Sequence, residues 1–209
     1  MFKCIYFFIV SLTLTSMISA SYQSPAELKV KVYKFAVSTS EYCTNPTTII
    51  SNGSPTYIDV LTQPTYGSGL VDNGTYKCVI IEMDDTIKYT PTINSGGCNV
   101  GTEYSYSVCE AGRTSTLVDG TTTTCTTSAD RVGLYISTAS TKTSVDEGHT
   151  PWEPPTSGTE STKGFKLLSE LVVSEATTGQ FQVDGTDKLV DVGDGCEMYP
   201  PIFTFTELN

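Results

Sequence analysis

The sequence predicts an all-β chain: a disulfide-stabilised antiparallel β-sandwich carrying one long irregular insertion loop. Three observations predict it. Short runs of residues alternate between apolar and polar with a period of two, and Gly, Asn, Asp and Pro separate the runs. The 209 residues include 34 Thr and 22 Ser, and Thr favours strands because its branched Cβ restricts χ1. Seven cysteines are present, and six of them follow an N-terminal segment that reads as an export signal, so disulfides are expected.

That segment comes first. Met1-Phe2-Lys3 supplies a positive start, residues 4–14 an almost unbroken apolar run, and Ser19-Ala20 small residues before polar Ser21-Tyr22-Gln23. This is the three-part pattern of a secretory signal peptide over residues 1–20, with cleavage after Ala20. The apolar run falls short of the about 20 residues that a membrane span needs, and no cationic stop follows it. Cys4 precedes the run, so lipid attachment is not expected. The mature chain, residues 21–209, is expected to be one sandwich domain without a transmembrane segment, secreted, periplasmic or held at the cell surface.

Leu28, Val30 and Val32 alternate with Lys29 and Lys31, the signature of a half-buried strand. After Val32 the parity slips to Tyr33, Phe35 and Val37, which predicts a bulge or a strand passing from one sheet to another. Strands are expected at 47–50 and 57–61 on either side of the turn Ser51-Asn52-Gly53-Ser54-Pro55. Residues 74–83 form the most hydrophobic mature stretch and read as one central strand. Further strands are expected at 87–90, 103–109, 131–137, 165–174, 180–183 and 202–206. Residues 166–176 partly fit a helical stripe, but Val172-Val173-Ser174 favours strand. Residues 137–163 are polar and rich in Thr, Gly and Pro, and they hold His149-Thr150-Pro151-Trp152-Glu153-Pro154-Pro155. Irregular stretches of that length are usually functional or disordered.

Cys43, Cys78, Cys98, Cys109, Cys125 and Cys196 are expected to form three disulfides. No C-x-x-C spacing occurs, which argues against zinc. A local Cys98–Cys109 bridge and a Cys43–Cys78 bridge are the pairings suggested by the strand pattern.

The stretch Val71-Asp72-Asn73-Gly74-Thr75-Tyr76, with the opening strand at 27–38, resembles the prealbumin-like β-sandwich domains of uncharacterised exported bacterial surface proteins. The resemblance implies that Gly74 makes the turn and that Tyr76 packs across the sandwich edge. It implies no activity.

Charge narrows the function. Twelve Lys and Arg stand against 23 Asp and Glu, a formal charge of −11, which argues against nucleic acid. His149 is the only histidine, and no G-x-S-x-G elbow accompanies it, so serine–histidine catalysis is not expected. Glu82, Asp84 and Asp85 could serve glycoside hydrolysis as paired carboxylates, but they read as a solvated strand end. Calcium is the one cofactor the acidic sequence suggests, with Asp191, Asp194 and Glu197 as its ligands in an acid-rich stretch. Trp152, His149 and Tyr135 are the expected ligand-binding residues, and Trp152, Tyr135, Tyr66 and Tyr199 could stack on sugar rings. The expected function is that of a non-enzymatic exported surface or matrix protein. It would interact with a protein or glycan outside the cell, or with copies of itself through an added edge strand from 27–37. The alternative is a soluble carbohydrate-binding module using the loop aromatics.

Overall fold

The structure, a computed structural model, describes residues 22–62, 71–126, 130–144, 149–156, 162–174, 178–193 and 195–208. The expected signal segment, Tyr66 and Asp194 lie outside the described residues.

Two sheets face one another. Val32–Ser38, Cys78–Asp84 and Arg131–Ser137 form the centre of a five-stranded sheet, with Thr47–Ser51 and Phe165–Lys166 at its edges. Pro25–Val30 and Thr86–Pro91 form the centre of a four-stranded sheet, with Ile58–Asp59 and Tyr104–Ser107 at its edges. Pairing in both sheets is antiparallel except between Arg131–Ser137 and Phe165–Lys166. The chain is therefore an antiparallel β-sandwich stapled by disulfides.

The parity slip after Val32 has a structural cause. The chain leaves the four-stranded sheet at Val30 and enters the five-stranded one at Val32. Its antiparallel neighbour makes the same transfer in reverse, from Cys78–Asp84 to Thr86–Pro91. At this corner Lys31 Nζ lies 3.2 Å from Asp84 Oδ2. Asp85 is wholly buried beside them, and its Oδ1 accepts the Cys109 backbone N–H at 2.7 Å. Its Oδ2 meets no donor among the described residues. The carboxylates are thus folded into the corner and do not form the solvated strand end that the sequence suggested.

Alternation then sorts side chains between the faces of the five-stranded sheet. Val79, Ile81, Met83, Val132, Leu134 and Ile136 point inward and share a core with Leu28, Val30, Ile87 and Tyr89 of the opposing sheet. Ala36, Cys78, Ile80 and Tyr135 point outward and form a second cluster with Cys43. The hairpin Thr114–Thr116 and Thr122–Thr124 covers this outer face. Gly133 N donates to Ser115 Oγ at 2.8 Å, and a Cβ at position 133 would sit 2.1 Å from the Thr116 carbonyl oxygen. Only glycine lets the hairpin approach so closely.

The disulfides are Cys43–Cys78, Cys98–Cys196 and Cys109–Cys125. The Cys98–Cys109 pairing is overturned. Tyr104–Ser107 is a paired strand, and it holds Cys98 beyond one end and Cys109 beyond the other. Residues 74–83 also divide: Gly74–Tyr76 pairs with Leu171–Val173, and only Cys78–Asp84 enters the large sheet. Residues 165–174 give two short strands and no helix. The ribbon Thr178–Asp184 and Ile202–Leu208 adds Phe181, whose ring lies 5.4 Å from those of Phe35 and Phe205. Tyr76 OH donates to the Asp72 carbonyl at 2.8 Å, closing the turn as a tyrosine corner does in sandwich folds.

Candidate functional site

The inward side chains do not meet across the sandwich everywhere. They enclose a cavity of about 560 Å³. Leu28, Val30 and Ile87 line it from the four-stranded sheet, and Phe35, Ile81, Met83 and Leu134 from the five-stranded one. Trp152, His149 and Phe165 close one side, and Phe203 with Val183 another. Tyr106, Glu110, Arg113, Glu197 and Tyr199 also border the cavity. These five are exposed, so the opening to solvent lies among them.

The Trp152 segment is pinned, not loose. Tyr135 N donates to the Pro151 carbonyl at 3.0 Å, and Thr116 N to the Trp152 carbonyl at 2.9 Å. Glu153 pairs with Lys163 at 2.5 Å and accepts from Thr114 Oγ1 at 3.0 Å. Each tie satisfies a backbone or charged group that a free loop would leave to water. Trp152 is consequently 7 % exposed and His149 4 %. The His149 ring meets Phe165 edge-on at 4.9 Å, and Nε2 lies 3.0 Å from the Gly164 carbonyl, so Nε2 carries the proton there. Trp152 is therefore buried despite its loop-like sequence, and its indole belongs to the cavity wall.

The other expected site residues scatter. Tyr135 is 3 % exposed but faces the outer cluster, with its hydroxyl 3.4 Å from the Leu117 carbonyl. Burial, with Glu82 and Asp119 nearby, raises its pKa. It cannot reach a ligand held by Trp152 and His149, because the sheet lies between them. Asp191 accepts from Gly97 N at 3.1 Å and Gly193 N at 2.8 Å, and these bonds hold its carboxyl below the usual range. Its oxygens already close a turn, and no cluster of three metal-ligating side chains is found among the described residues. Glu197 stands instead at the cavity opening.

Sequence reasoning missed Tyr106, Glu110 and Arg113. Their only signal was Tyr104-Ser105-Tyr106, which alternates like any strand and does not reveal a rim. Tyr106 is exposed, but partial desolvation of its phenol, followed by the charges of Glu197, Glu110 and Asp85, raises its pKa. Arg113 Nε lies 3.4 Å from Glu110 Oε2. Behind the rim, Tyr89 OH donates to the Cys196 carbonyl at 2.5 Å, and burial pushes its pKa up to about 12. The arrangement supplies an apolar chamber with a polar mouth.

No protein-family model, curated protein or solved structure matches the chain. The fold and cavity define a class by themselves: a disulfide-stapled all-β sandwich with an interior apolar chamber. Among the described residues no helix is long and apolar enough to cross a membrane.

Proposed function

We propose that the chain is a non-enzymatic exported binding protein that holds an apolar molecule between its two sheets. The cavity carries this reading. Its 560 Å³ falls within the about 300–1,000 Å³ of small-molecule sites. Close-packed interiors leave few voids larger than a water molecule, so an apolar-walled space of this size between the sheets is room for a guest.

The three disulfides support export to an oxidising compartment, at the cell surface or beyond. Two competing readings lose their motive. Sugar stacking on Trp152 is disfavoured by its burial. Strand donation from 27–37 is disfavoured because Pro25–Val30 and Val32–Ser38 each pair on both sides.

The test is titration of the oxidised protein with N-phenyl-1-naphthylamine, a neutral fluorophore that brightens in apolar sites. Saturable emission is expected, and Ile81→Phe should weaken it about tenfold, since each 1.4 kcal/mol is a factor of ten, with the melting temperature kept. Emission that never saturates would remove the proposal.

A further inference from the structure

The chamber's mouth carries chemistry that the apolar walls do not. Five exposed side chains border it: Tyr106, Glu110, Arg113, Glu197 and Tyr199. Two are carboxylates and two are phenol rings. The single cation, Arg113, is drawn to Glu110 at 3.4 Å, and this pair neutralises itself. Glu197 has no ion pair or hydrogen bond through its side chain among the described residues, and its charge and that of Glu110 fall on Tyr106.

Carboxylate and aromatic faces together attract an ammonium group, the first by charge and the second by the ring quadrupole. A carboxylate head would meet the uncompensated Glu197 and a chain of net charge −11, with only an engaged guanidinium to receive it. The three lysines Lys142, Lys166 and Lys188 gather at a smaller pocket of about 160 Å³ that shares Phe165, Pro201 and Phe203 with the chamber, and none of the three is among the residues that border the opening.

From this juxtaposition we infer that the ligand is a cationic amphiphile: its apolar body lies between the sheets, and its ammonium group sits at Glu197 between Tyr106 and Tyr199. This inference rests on the apolar-chamber reading, and its test separates the two. Dodecyltrimethylammonium, dodecanol and dodecanoate share one tail and differ in head charge. Each is used below its micelle concentration at pH 7 to displace N-phenyl-1-naphthylamine from the oxidised protein.

The ammonium compound should displace the probe at about five- to tenfold lower concentration than dodecanol, the range of an ion pair joined to a cation–π contact. Dodecanoate should be the weakest of the three. Glu197→Gln should abolish the ammonium advantage and leave dodecanol unchanged. Dodecanol matching the ammonium compound, dodecanoate displacing best, or an ammonium advantage that survives Glu197→Gln would overturn the head-group assignment while the chamber stands. Failure of all three tails to displace, or of the probe to bind, would overturn the chamber and the assignment together.

Discussion

The two faces of the five-stranded sheet are made by the same strands yet are packed in opposite ways. Outward, Cys43–Cys78 clamps the second cluster. Glu82, 0 % exposed, accepts from Lys34 at 3.1 Å, Arg131 at 3.3 Å and Val118 N at 3.3 Å, and the Arg131 guanidinium lies 3.9 Å above the Tyr33 ring. Inward, the next residues along Cys78–Asp84 border about 560 Å³ of chamber. A sheet braced on one face can leave the other underfilled. Cross-links and ion pairs hold strand register on the outer side, so inward side chains need not interdigitate to specify it.

The largest effect should come from unclamping the outer face. Replacing Cys43 and Cys78 together by Ser should cost about 2–5 kcal/mol in urea unfolding, the usual range for a native disulfide in a small exported domain. Glu82→Ala should cost about 3 kcal/mol, the lower end for breaking a buried ion pair, because Lys34 and Arg131 both reach solvent. A loss near zero in either variant would mean that the outer face is not what holds the sheet.

Ile80 and Ile81 give the sharpest contrast, being consecutive in one strand and 1 % and 8 % exposed. Ile80→Phe should cost about 1–3 kcal/mol by overpacking a filled cluster. Ile81→Phe should change stability by less than about 1 kcal/mol, because the chamber takes the ring. Equal costs in thermal unfolding would erase the distinction between the faces.

The smallest effect concerns Asp85. Burial, with Asp130 and Asp84 nearby, raises its pKa against the opposing pull of the Cys109 N–H. A carboxyl raised on folding stabilises the fold below its unfolded value, and that contribution is lost as pH rises through the folded value. Stability should therefore increase as pH falls from neutral toward the ordinary carboxylate range, and Asp85→Asn should flatten that slope. Glu27, Glu103, Glu153 and Asp191 are lowered instead, so further acidification should destabilise both proteins. An unchanged slope in urea unfolding at stepped pH would exclude the assignment.

Period-two alternation made the sandwich legible, and even its crossing: the parity slip at Val32 and Tyr33 was the transfer between sheets. Cys43–Cys78 was legible because both residues flank recognisable strands. Cys98–Cys196 was not, because the short strands Leu189–Asp191 and Cys196–Met198 lie in a Gly- and Asp-rich stretch that reads as turns. Trp152 misled for a related reason. Proline and threonine marked its segment as loop, but hydrogen bonds from Thr116 and Tyr135 tie it to the covering hairpin and to Arg131–Ser137. The chamber left no local signal at all, since an inward Val or Ile reads the same whether it meets a side chain or a space.

Cys98 and Cys196 stand 98 residues apart, and the later one begins the strand that carries Glu197 and Met198 to the chamber's mouth. On a chain made from its N-terminus at about 5–20 residues per second, the second cysteine follows the first by about 5–20 s. The strands of both main sheets end at Lys166, so all of them precede Glu197 and Tyr199 of the mouth in the chain. If folding kept pace with synthesis, the side of the chamber bordered by Glu197 and Met198 would still be open in that interval. Closing Cys98–Cys196 would then act as a latch on that side of the chamber.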